Sequence, residues 1–62
     1  MNEHFNMSMR KFLKRVGVTS QQEIEKMVEQ AGKISGQFRV TATISAPEIG
    51  LEHTVEGEID LG

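Results

Sequence analysis

The segment Val16-Gly17-Val18-Thr19-Ser20-Gln21-Gln22-Glu23 decides how this 62-residue chain folds, because it holds every local signal for a break in an otherwise helical N-terminal half. Gly17 stands where a left-handed residue closes a helix, and Val18 can then fold back onto the last turn. Three residues apart, Ser20 and Glu23 have the spacing of a capping box: the Ser20 hydroxyl accepts from the Glu23 amide while the Glu23 carboxylate reaches back to the Ser20 amide. These signals predict that one helix ends at Val16 and another begins at Gln21.

Working outward on a helical wheel, Phe5, Met9, Phe12, Leu13 and Val16 share one arc, with Arg10, Lys11, Lys14 and Arg15 on the other side, which predicts a helix over 4–16. Beyond the break, Ile24, Met27, Val28 and Ala31 form a second stripe. Glu23, Glu25, Lys26, Glu29 and Gln30 lie outside it, and Gly32 closes a helix over 21–31.

After Lys33 to Gly36 the period changes from helical to alternating. Phe38, Val40, Ala42 and Ile44 alternate with Arg39, Thr41, Thr43 and Ser45, which predicts a half-buried strand over 37–46. Pro47 and Gly50 mark a turn. Alternation then resumes with Leu51, His53, Val55, Gly57, Ile59 and Leu61 against Glu52, Thr54, Glu56, Glu58 and Asp60, a second strand over 51–61. A loop from Pro47 to Gly50 sets Ala46 opposite Leu51, Ile44 opposite His53, Ala42 opposite Val55, Val40 opposite Gly57 and Phe38 opposite Ile59. The same register sets Arg39 opposite Glu58 as an opposite-charge cross-strand pair. The expected fold is a single α+β domain over residues 1–62, a two-helix hairpin followed by a two-stranded antiparallel β-hairpin (ααββ), with the apolar strand faces turned to the helical pair.

A chain this short buries only about 60% of the surface its unfolded form exposes. It has no cysteine, so neither disulfides nor thiolate metal sites support it. Apolar burial and ordering entropy nearly cancel at this size, which makes a dimer as natural an expectation as a monomer. The net charge of −2 gives the whole molecule no general attraction to nucleic acid or anionic lipid. The basic N-terminal segment carries no apolar signal-type run, so the expected location is the cytoplasm, with no membrane association.

Several constellations are weighed on their chemistry. Leu13 to Met27 has the spacing of a helix-turn-helix with Gln21 and Gln22 facing a groove, but Glu23, Glu25 and Glu29 on the recognition helix would be repelled by phosphate. The quartet Arg10, Lys11, Lys14 and Arg15 can meet an acidic protein surface, the acidic hairpin of a second copy, whose residues 48–60 hold five carboxylates and no Lys or Arg, or phosphate. Met7 falls among these cations, and an exposed thioether there suits an adaptable contact; Met9 and Met27 lie on the stripes and read as core. Glu52, Glu56, Glu58 and Asp60 line one strand face, where residues two apart are about 6.8 Å from each other, too spread to converge on one ion. His53, facing Leu51 and Val55, reads as a core or rim histidine. No nucleophile motif, Gly-rich phosphate loop or metal-ligand cluster is present, so no catalytic, cofactor or metal site is expected and the chain is not expected to be an enzyme.

The run Phe5-Asn6-Met7-Ser8-Met9-Arg10-Lys11-Phe12-Leu13-Lys14, with Val16-Gly17-Val18-Thr19-Ser20-Gln21 and Glu23-Ile24-Glu25, resembles a family of short uncharacterised bacterial proteins. The likeness extends through Val40-Thr41-Ala42-Thr43 to Val55-Glu56-Gly57-Glu58-Ile59. It implies a free-standing small protein and brings no activity, cofactor or catalytic residue. The function expected from the residues is a non-enzymatic protein-interaction module, self-associating or bound to another protein. The alternative is nucleic-acid binding through the basic helix and segment 13–27.

Overall fold

The computed structural model describes residues 1–62. It contains one helix, α1 (Glu3–Ala31), then strand β1 (Gln37–Ala46), a single 3₁₀ turn (Pro47–Ile49) and strand β2 (Leu51–Asp60). The architecture is α+β, as expected, but with one helix where the local signals predict two. Two units, Met1–Gly32 and Lys33–Gly62, are described in turn.

The first unit is α1, 29 residues long, or about 43 Å at 1.5 Å per residue. Asn2 caps its start: the Asn2 Oδ1 accepts a hydrogen bond from the Phe5 amide at 2.8 Å, satisfying one of the orphan donors of the first turn. Gly32 closes its end in the left-handed conformation, φ 69°, and its amide donates to the Glu29 carbonyl at 3.1 Å. That stop agrees with the sequence, whereas the start lies one residue before the predicted boundary because Asn2 supplies the cap.

The break predicted at Val16 to Gln21 does not form. Gly17 has no positive φ and Val18 does not fold back; Val18 sits on the face opposite the stripe, 47% exposed. Ser20 and Glu23 form no capping box, and the nearby hydroxyl turns inward on the helix itself: Thr19 Oγ1 donates to the Arg15 carbonyl at 2.7 Å, a bond within the helix to the residue four back. The physical reason is phase. Phe5, Met9, Phe12, Val16, Ser20, Ile24, Met27 and Ala31 follow one another at intervals of three or four residues, close to the roughly 3.7 residues per turn of an eleven-residue repeat. The two predicted stripes are therefore one, interrupted by Ser20 and by Glu23, which lies one eleven-residue repeat beyond Phe12. An unbroken helix keeps every intervening amide bonded, at a cost of about 1 kcal/mol for Gly17 relative to alanine, whereas a turn would sacrifice several bonds. With no turn inside 13–27, the helix-turn-helix geometry is absent.

The second unit is the hairpin, and its register is the predicted one. Phe38 pairs with Ile59, Val40 with Gly57, Ala42 with Val55, Ile44 with His53 and Ala46 with Leu51. Pro47 opens the connecting turn and Gly50, φ 68°, closes it with its amide donating to the Pro47 carbonyl at 3.1 Å. The second strand stops at Asp60 rather than Leu61. Even so, the Leu61 amide donates to the Gly36 carbonyl at 2.8 Å just beyond the ladder. One expected pairing differs in detail: Arg39 is level with Glu58 on the backbone, but its guanidinium bonds Glu56 at 3.3 Å. Strand twist brings the diagonal neighbour within reach of a long side chain. Thr43 and Thr54 share a hydroxyl hydrogen bond at 3.2 Å, and Ser45 donates to Glu52 at 3.1 Å on the same polar face.

No residue of the chain is buried. The helical pair expected to cover the hairpin's apolar face is absent, because α1 runs unbroken from Glu3 to Ala31.

Candidate interaction surfaces

Because α1 runs unbroken, it presents one long apolar stripe in place of two short ones. Phe5 is 43%, Phe12 47% and Met27 57% exposed, Met9 and Leu13 are similarly open, and Val16, Ile24 and Val28 are half-buried. Met9 and Met27, expected as core, are thus exposed members of this stripe. Side chains of this size present on the order of 200 Å² each when fully exposed, so the stripe leaves about 500 Å² of apolar surface open. That lies at the upper end of what a soluble monomer carries. Either half of this surface alone has the length and pattern of a short helix facing an interior; the recurrence across Val16, Ser20 and Ile24 is the signal that joins them.

Around the rest of α1, charge is divided along the axis. The half up to Val16 carries Arg10, Lys11, Lys14 and Arg15 against Glu3, and the half beyond carries Glu23, Glu25 and Glu29 against Lys26. The quartet Arg10, Lys11, Lys14 and Arg15 is exposed, with Met7 among it at 65% exposed. A shallow depression on this side is lined by Lys11, Phe12, Lys14 and Arg15 together with Val18 and Thr19.

The hairpin has one apolar face and one polar face. Phe38, Val40, Ile44, Ala46 and Ile59 are half-buried on the apolar face, while Leu51 and Val55 are exposed. His53 is exposed beside them and level with Ile44, not in a core. Of the four strand carboxylates, Glu52 accepts from Ser45, Glu56 from Arg39, and Asp60 from the Gly62 amide at 2.9 Å. No three His, Asp or Glu side chains converge on a point that could hold a metal ion. Both strands also leave an outer edge unpaired, which is a template for strand addition. No helix is long and apolar enough to cross a membrane.

A model of a family of unknown function matches residues 1–62, the full sequence, so the alternation, the stripe and the capped glycines all fall within it. The chain belongs to the DUF6494 family. Membership in DUF6494 agrees with the resemblance read from the Phe5 to Glu25 motifs and, being membership in a family of unknown function, assigns no activity. No curated protein and no solved structure matches this DUF6494 chain.

Proposed function

We propose that the protein is a non-enzymatic interaction module of the cytoplasm whose partner is a protein surface, in the first instance a second copy of itself. The observation that carries this reading is the absence of any buried residue beside an apolar stripe and an apolar sheet face. Helices in water owe most of their stability to packing of an apolar face rather than to propensity. A two-stranded hairpin alone is marginal. Covering these surfaces with another chain supplies what one copy lacks, and the open strand edges offer a second means of contact. The non-enzymatic part rests on the sequence, which holds no nucleophile motif, no phosphate-binding glycine loop and no cysteine.

Sedimentation equilibrium from micromolar to millimolar protein tests the reading. The expected result is a reversible rise of the weight-average mass above 6.9 kDa; a constant 6.9 kDa across the range contradicts self-association.

The exposed quartet Arg10, Lys11, Lys14 and Arg15 favours a second reading, nucleic-acid backbone binding through the basic half of α1. That reading predicts salt-sensitive shifts of the residue 7–18 amides on titration with DNA. Unchanged spectra at low salt remove it.

A further inference from the structure

We infer that two copies join through the outer edge of β1, strand against antiparallel strand about a two-fold axis, to form one sheet in the order β2-β1-β1-β2. This rests on the self-association reading above and names the edge at which the copies meet.

The hydrogen bonds already made decide which groups each edge offers. Gly36 is level with Leu61, one step beyond the Gln37–Asp60 pair, and the Leu61 amide donates to the Gly36 carbonyl. Bonded pairs alternate along an antiparallel ladder, so the even-numbered residues of β1 bond to β2 and the odd-numbered ones turn their amides and carbonyls outward. On β1 the outward residues are Gln37, Arg39, Thr41, Thr43 and Ser45, all exposed. On β2 they are Glu52, Thr54, Glu56, Glu58 and Asp60, exposed as well.

The two edges differ in charge. In a two-fold pairing of like edges, outward residues meet outward residues, which limits the registers. For β2 on β2, centring on Glu56 sets that residue against its copy and Glu52 against Asp60. Centring on Val55 sets Glu52 against Glu58, on Thr54 Glu52 against Glu56, and on Gly57 Glu56 against Glu58. Each register places carboxylates directly opposite one another, which is destabilising, and a charged edge of this kind discourages strand addition. The 10 residues of β1 hold no carboxylate and no proline, and Arg39 is their one charge. Centred on Ala42, Thr41 meets Thr43, Arg39 meets Ser45, Val40 meets Ile44 and Phe38 meets Ala46. Centred on Thr41, Arg39 meets Thr43 and Phe38 meets Ile44. Both registers match polar with polar and apolar with apolar, and both keep Arg39 from its copy. A self-complementary edge is what an isologous dimer requires. The product is a four-stranded sheet in place of two hairpins that are each marginal alone.

Amide hydrogen exchange reads the edge directly. At concentrations where sedimentation shows dimer, the Thr41 and Thr43 amides should exchange at least about tenfold more slowly than those of Thr54 and Glu56, each corrected for its intrinsic rate. Substitution gives the second measurement. T41K/T43K should weaken the dimer at least about tenfold at low salt, because both registers then bring cations opposite one another. Position 41 is level with Glu56 of its own hairpin, so the first of these changes adds no like charge there, and slow exchange at Val40 and Ala42 verifies that the hairpin persists. Thr54→Lys, on the other edge, should leave the dissociation constant unchanged. A dimer in which Thr41 and Thr43 exchange as fast as Thr54 and Glu56, or which T41K/T43K leaves unweakened, overturns the β1 edge while self-association through another surface stands. Growth past the dimer into filaments, the result of joining β1 to β2 of the next copy, also overturns it. A wild-type chain that stays monomeric overturns both.

Discussion

Replacing Gly17 by alanine separates a continuous α1 from a broken one by sign. In the structure Gly17 lies inside the helix without a positive φ, and a Cβ built on it meets nothing within 4 Å. Alanine therefore gains the helix-propensity difference, about 1 kcal/mol, with no steric cost. For a chain of this length that corresponds to a rise in melting temperature of about 4–8 °C. If Gly17 instead ended a helix in the left-handed conformation, alanine would lose about 1 kcal/mol or more. The assay is urea unfolding followed by circular dichroism at 222 nm, with wild type and variant at the same protomer concentration because association shifts apparent stability. An increased midpoint at unchanged slope supports the single helix. A lowered midpoint together with reduced helical signal at saturating protein would refute it.

Other substitutions probe neighbouring parts of the same account. Ser20→Ala should be neutral or stabilising by up to about 0.5 kcal/mol and should strengthen association, because Ser20 is a polar interruption of the stripe and not a cap; loss of about 1 kcal/mol in the same urea assay would mean that it caps a helix after all. Asn2→Ala should cost about 1 kcal/mol and fray the first turn, seen as faster amide exchange at Phe5 and Asn6, whose amides bond the Asn2 side chain and carbonyl. In a double-mutant cycle, Arg39 should couple to Glu56 by no more than about 0.5 kcal/mol, since both are well exposed, and less still to Glu58. A larger Arg39 to Glu58 coupling would restore the directly opposed pair.

The hairpin was legible in the sequence almost residue by residue. A period of two admits no drift, and a one-residue slip would have moved Phe38, Val40 and Ile44 to the polar side, so burial alternation and the Pro47 to Gly50 turn fix the register together. The helix was legible in its faces but not in its extent. Gly17, Ser20 and Glu23 are local signals whose meaning depends on what lies on either side, and the stripe through Val16, Ser20 and Ile24 outweighs them because continuity preserves the backbone bonds. The Arg39 partner was missed by one diagonal step, which strand twist sets and spacing along the chain does not show. Of the candidate surface, the basic quartet and Met7 stood out as exposed, whereas the long stripe was hidden by its own division into two.

The most direct test of the account is whether folding of α1 and association occur together. Dilution through the range in which sedimentation shows dissociation should lower the 222 nm signal in parallel with the mass, because the stripe has nothing within its own helix to cover it. A monomer that retains the full helical signal well below the dissociation midpoint would contradict the claim that a second copy completes this fold.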